Sequence, residues 1–199
     1  MNLFDQIVLL LTGLTAVYLI WRFVQDSAKN TYYILSFAVL FVAGVLLIFL
    51  TYGALANPAV VIVSYLIPFC LALGLVAEFY PEKSKLYMIF GLIGLLGIAY
   101  TRYTDSGTLA TVVLATFHFV AGMIILLVPI FVTRAKKAPS GFIWVAVGGL
   151  LINIGGTSLA FLKMGTPILS GDLIFMILAP LLFLMTLSYT WGFMKKMRA

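Results

Sequence analysis

Two side chains stand out chemically from their surroundings, His118 and Asn153, each set inside a long apolar run. A histidine in such a run can give one axial bond to haem, with a methionine as second ligand. It can also accept a proton or touch a substrate. The competing reading is a neutral imidazole hydrogen-bonded to a neighbouring helix. His118 is the only histidine, so bis-histidine ligation is excluded and a haem-type metal role would fall on His118 alone. Asn153 lies within Gly148-Gly149-Leu150-Leu151-Ile152-Asn153-Ile154-Gly155-Gly156. The glycines allow close helix approach, and the asparagine either bonds across that contact or orients a ligand in the room they leave. By depth, Thr12, Tyr65, Cys70 and Pro180 share a layer with His118 and Asn153. Turned inward together, these side chains would line a small, neutral, weakly polar site for a ligand.

Other chemistries are disfavoured. No acid lies near the middle of an apolar run: Asp26, Glu78 and Glu82 fall at one set of ends, Asp5, Asp105 and Asp172 at the other. A buried titratable acid is what a proton pump, a carboxylate-driven antiporter or a paired-aspartate intramembrane protease would need. Cys70 is the only cysteine, so there is no intrachain disulfide and no thiol metal cluster. The chain has no Walker loop, His-Glu-x-x-His, Gly-x-Ser-x-Gly or Cys-x-x-Cys motif. It reads as something other than an enzyme.

These residues must be positioned by membrane helices. Of 199 residues, 64% are hydrophobic and 9% charged, whereas a soluble domain carries about 25% charged residues. Runs long enough to cross the hydrocarbon are Leu3–Phe23, Tyr32–Tyr52, Ala59–Phe79, Leu86–Tyr103, Leu109–Val132, Phe142–Leu162 and Leu173–Phe193. The fourth is the shortest. Turn and breaker residues separate them, as in Asn57-Pro58 and Asp105-Ser106-Gly107. The runs are continuous rather than alternating, so an all-α bundle is expected and not a barrel. The first run follows an acid, Asp5, and lacks a small-residue cleavage site, so it is expected to be a mature helix. The whole chain, residues 1–199, then forms one transmembrane domain with short loops.

Charge placement gives the orientation. Arg22, Lys29, Lys83, Lys85, Arg134, Lys136, Lys137, Lys195, Lys196 and Arg198 fall on one side, and only Arg102 and Lys163 on the other. The positive-inside rule then places the N-terminus outside and the C-terminus in the cytoplasm. The net charge of +6 is thereby a topology signal and not a nucleic-acid footprint. Arg102 and Asp105 are placed to pair across the fourth connection. Tyr18, Trp21, Tyr32, Tyr33, Tyr52, Tyr80, Tyr100, Tyr103, Trp144, Tyr189 and Trp191 read as interfacial belts.

An internal match exists at an offset of 109: Gly13 falls on Gly122, Tyr33 on Phe142, Leu50 on Leu159 and Pro58 on Pro167. With a slip of three, Leu66-Ile67-Pro68 falls on Leu178-Ala179-Pro180. Either two parallel triplets, residues 3–80 and 109–194, are joined by a linker helix at 86–103, or apolar helices are aligning by chance. Parallel repeats of this kind occur in transporters, with the site at their interface. Pro68 and Pro180 each free a carbonyl and bend their spans. Gly91, Gly94 and Gly97 read as a helix contact.

In count, orientation and this three-one-three division the chain resembles rhodopsins and SWEET-type transporters, in topology alone. The resemblance implies a seven-helix bundle with a central ligand site. The seventh run has no lysine for a retinal Schiff base, so covalent retinal is not expected. The SWEET pattern puts prolines in the first two helices of a triplet, whereas Pro58, Pro68, Pro167 and Pro180 cluster at the third. The expected function is a multi-pass plasma-membrane transporter or binding protein for a small neutral or lipophilic molecule. The alternatives are a sensory or haem-type cofactor-binding subunit and a structural subunit of a membrane complex. An oligomer or a membrane partner subunit would accompany the last of these.

Overall fold

The computed structural model describes residues 1–26, 30–104 and 106–198. Its helices are α1 (Leu3–Gln25), α2 (Thr31–Leu50), α3 (Pro58–Ser64), α4 (Leu66–Phe79), α5 (Pro81–Tyr103), α6 (Thr108–Arg134), α7 (Ile143–Lys163) and α8 (Gly171–Met197). A 3-10 stretch, Thr51–Ala56, extends α2, and another, Ser140–Phe142, leads into α7. Taking α3 with α4 as one span, the described residues hold seven helices long and apolar enough to cross a membrane. Every expected run is present, and the fourth is a full 23 residues because Pro81 starts it before the apolar stretch begins. Lys29 of the first connection and Asp105, the expected partner of Arg102, lie outside the described residues.

Polar residues at the chain's turns fix where the helices begin. Asn2 and Asp5 cap α1 reciprocally: Asp5 N–H donates to Asn2 Oδ1 at 2.9 Å, and Asn2 N–H to Asp5 Oδ2 at 3.1 Å. That box occupies the carboxylate and satisfies donors the first turn would otherwise leave bare. Asn30 and Asn57 cap α2 and α3, the latter followed by Pro58 at the first helical position. Gly165, at φ +77°, supplies the left-handed residue just past the end of α7.

The third span lacks one hydrogen bond at its middle, although Tyr65 keeps helical angles, φ −60° and ψ −28°. Pro68 has no N–H to give the Ser64 carbonyl four residues back, and its ring crowds that carbonyl. The helix accordingly divides at Tyr65 into α3 and α4. The effect at Pro180 differs: α8 runs through it unbroken, as α6 runs through Pro129.

Six helices form a ring in the order α1, α2, α4, α6, α7, α8 and back to α1. α4 is the most enclosed span, buried continuously from Ile67 to Val76. α5 lies outside the ring against α3, α4 and α6. Its glycines make that approach possible, as expected. A Cβ on Gly91 would fall on the Phe69 ring, and one on Gly94 on the Phe117 ring.

The two halves of the bundle differ. Toward the face where α8 ends, here the C-terminal face, aromatic rings fill the ring's centre. Phe193 has its centroid 4.7 Å from Tyr33, 5.1 Å from Phe23 and 5.7 Å from Phe142. Tyr33 and Tyr189 are fully buried, which corrects their assignment to an interfacial belt. They face inward on their helices, and position along a span does not reveal facing. Tyr33 Oη donates to Glu78 Oε2 at 2.8 Å. Glu78 is ion-paired with Lys196, whose ammonium lies over the rings of Tyr33, Phe79 and Phe142. Spans two, three and seven are tied together there. Toward the N-terminal face, where α1 begins, a second cluster around Leu9, Leu47 and Ala179, with Tyr52 stacked on Phe175, closes α1, α2 and α8, and the cavity described next lies to one side, against α3, α6 and α7.

Candidate functional site

α6 and α7 pack along one another more extensively than any other helix pair. Their contact is built from small residues. A Cβ on Gly149 would lie 2.7 Å from Leu126 N and 2.9 Å from Ile125 C, so backbone meets backbone. One turn nearer the N-terminal face, Gly122 of α6 receives Asn153 of α7, whose Oδ1 occupies the space a Cβ would take. Nearer still the roles exchange: Gly156 of α7 receives His118 of α6, with Nε2 2.6 Å from the absent Cβ. Each polar side chain thus sits in the notch left by a glycine on the other helix. Only glycine leaves that room.

Both amide atoms of Asn153 are shielded from solvent and unpaired, and His118 Nε2 makes no well-formed hydrogen bond, although the ring lies beside the Ile152 carbonyl. The sequence reading gave Asn153 a bond across the helix contact; the structure puts a glycine where the partner would be. A buried polar group left unpaired costs about 1–3 kcal/mol, and few are left so without a reason. The nitrogen an iron would take on His118 is covered by Gly156, so an axial bond would require the ring to turn away from α7.

A cavity of about 570 Å³ lies against this interlock. Its floor is formed by Tyr65, His118 and Asn153, with Ser64 and Thr111 close by. Its walls are apolar, among them Val60, Leu114, Leu159 and Phe161. Thr116, Phe119 and Thr157 on the walls are exposed, so the cavity is open. Arg102 and Lys163 stand at its rim. The break in the third span contributes directly, because Ser64 and Tyr65 sit where α3 and α4 part. Tyr65 Oη donates to the Gly91 carbonyl at 3.3 Å, which holds the phenol against α5. The volume is in the range of sites for drug-sized ligands, and so is the pattern of apolar walls with a few convergent polar groups.

Three of the six expected site residues, Tyr65, His118 and Asn153, meet at this cavity. The other three do not line it. Thr12 is buried in α1 and donates to the Val8 carbonyl at 2.9 Å. Cys70 is a buried free thiol of α4, and Pro180 lies in α8. Depth along a span placed all six in one layer; rotation about each helix axis separated them.

No family model, curated protein or solved structure matches this chain.

The site's meaning therefore rests on its own geometry. Sequence reasoning missed Arg102 and Lys163 as site residues, although a signal was present: they are the two basic residues that fall opposite the other ten. Gly122 and Gly156 were also missed as the notches that seat Asn153 and His118. The spacing that reveals them, 118 and 122 on one helix against 153 and 156 on the other, appears only once α6 and α7 are known to be antiparallel neighbours. Among the described residues no group of His, Cys, Asp and Glu is arranged to hold a metal ion.

Proposed function

We propose that this protein binds a small, largely apolar molecule in the cavity between α3, α6 and α7, as a small membrane carrier. The observation that carries the reading is the pairing of that open cavity with the unpartnered amide of Asn153 and the weakly held imidazole of His118. A modest rotamer change would bring either group to a ligand's hydrogen-bonding end. The bound molecule would then recover free energy that the empty site forgoes. Tyr65 closes the floor, and the apolar walls hold the body.

The carrier reading is supported by the asymmetry of the bundle. The cavity with polar residues in its lining opens on one half, while on the other half the centre of the ring is filled by rings and tied by Tyr33, Glu78 and Lys196, and a shallower apolar groove lies outside it between α4, α5 and α6. Nine of the eleven basic residues among the described ones belong to the tied face, so we place that face in the cytoplasm and the cavity on the outer side of a plasma membrane. The order of helices around the ring also supports two parallel triplets. α6, α7 and α8 follow one another as α1, α2 and α4 do, and Tyr33 and Phe142, at matching positions, both pack on Phe193.

Native mass spectrometry of the protein extracted gently from its own membranes tests the binding. A discrete bound mass is expected, weakened or lost in His118→Ala and in Asn153→Leu. A bound mass retained undiminished in both variants would place the ligand elsewhere and end this reading.

A further inference from the structure

We infer that the molecule held in this cavity is an organic anion, an apolar body with a hydrogen-bonding group at its inner end, beside His118 and Asn153, and a carboxylate or phosphate between Arg102 and Lys163. The inference rests on the cavity being the binding site. Arg102 comes from the last turn of α5 and Lys163 from the last turn of α7, and both reach the same rim. Cations are favoured at helix C-termini by the peptide dipoles, which accounts for their place in sequence. It does not account for how they are left. Arg102 Nε is shielded from solvent and has no hydrogen-bond partner. Lys163 Nζ has a backbone acceptor, the Leu55 carbonyl, at a long 3.4 Å. Among the described residues no carboxylate pairs with either; the ion pair found among them, Lys196 with Glu78, is at the opposite face.

Two like charges at the mouth of an apolar cavity repel one another when it is empty, and one anion between them relieves both. The guanidinium offers a planar fork of donors and the ammonium a mobile set, the combination that binds carboxylate and phosphate oxygens. From rim to floor the ten residues separating Lys163 from Asn153 span roughly 15 Å of helix, which sets the length of the apolar body. A small inorganic anion would satisfy the rim and leave Leu114, Leu159 and Phe161 facing empty space. The neutrality expected from the sequence holds for the floor and fails at the mouth.

The test is equilibrium binding of tritiated decanoate and decanol to the full chain in phosphatidylcholine nanodiscs. Decanoate is expected to bind at least tenfold more tightly than decanol. Arg102→Gln and Lys163→Gln should each weaken decanoate about tenfold, the scale of one charge-assisted hydrogen bond, and leave decanol unchanged. Arg102→Lys, which keeps the charge, should restore part of the loss even if the glutamine variant folds poorly. Asn153→Leu should tighten both probes, whose alkyl ends reach the floor and cannot partner the amide. Equal affinity for the two probes, or rim variants that bind decanoate like the wild type, overturns the anion and leaves the cavity reading standing. Decanoate and decanol binding that Asn153→Leu and His118→Ala both leave unchanged overturns the cavity reading itself. Replacing phosphatidylcholine by phosphatidylglycerol separates two sources of the same chemistry. Weaker apparent decanoate binding identifies a competing lipid headgroup, and unchanged binding identifies a free amphiphile.

Discussion

Alanine at Gly149 tests whether the α6–α7 contact is as close as described. The added Cβ would stand 2.7 Å from Leu126 N, 2.9 Å from Ile125 C and 3.0 Å from Leu126 Cα, all backbone atoms that no rotamer change can move. Ordinary contact begins at 3.4 Å, so α7 must retreat from α6. A gap on the order of 0.5–1 Å forfeits a quarter to a half of each dispersion contact, along the most extensive helix interface in the bundle. The suitable control is Gly97→Ala on α5, whose Cβ would meet Val113 Cγ1 at 3.5 Å, an ordinary contact. Both substitutions gain roughly 0.8–1 kcal/mol of helix propensity, and the difference between them cancels that gain. The expected gap is about 1–3 kcal/mol, the usual cost of overpacking. Equilibrium unfolding by SDS in mixed micelles measures it. Two variants that unfold within about 0.5 kcal/mol of each other, less than overpacking costs, would refute backbone contact at Gly149.

Three further outcomes are expected. Asn153→Leu removes two unpartnered polar atoms, so SDS unfolding should show stability unchanged or raised by about 1–2 kcal/mol while binding of the native ligand falls; a destabilised variant would mean the amide is paired after all. Tyr33→Phe leaves Glu78 without its phenol donor while keeping the ring under Lys196, and should cost about 1–2 kcal/mol in the same assay, the scale of a hydrogen bond to a charged group; a cost near zero would show that this hydrogen bond does not hold the bundle. Pro68→Ala gives the third span an N–H for the Ser64 carbonyl, so hydrogen exchange should find the new alanine's amide protected and α3 continuous with α4; fast exchange of that amide would show that something other than the proline breaks the helix.

The spans were legible in the sequence because each is a property of consecutive residues, and breakers such as Asn57-Pro58 and Tyr80-Pro81 sit where the helices begin. The break at Tyr65 could be traced to Pro68 for the same local reason. What the sequence withheld was rotation. Tyr33 and Tyr32 are adjacent, yet Tyr33 is sealed among rings and Tyr32 is only half-buried at the core's edge. Thr12 and His118 share a depth and face different neighbours. In an all-apolar helix the pattern that usually reveals the inward side is missing, because lipid and protein interior favour the same side chains. The glycine notches were hidden for a second reason: each is defined by a residue on another helix.

The notches also limit how α6 and α7 can move. His118, Gly122 and Leu126 recur every four residues along α6, opposite Gly156, Asn153 and Gly149 along α7. A shift of one residue would drive side chains into backbone. A shift of one full turn, about 5.4 Å, would set Gly122 against Gly149 but bring Val145 or Ala146 onto the Leu126 backbone, where even a Cβ on Gly149 would clash. The interface is therefore keyed to a single register, and α6 and α7 move, if they move, as one rigid pair.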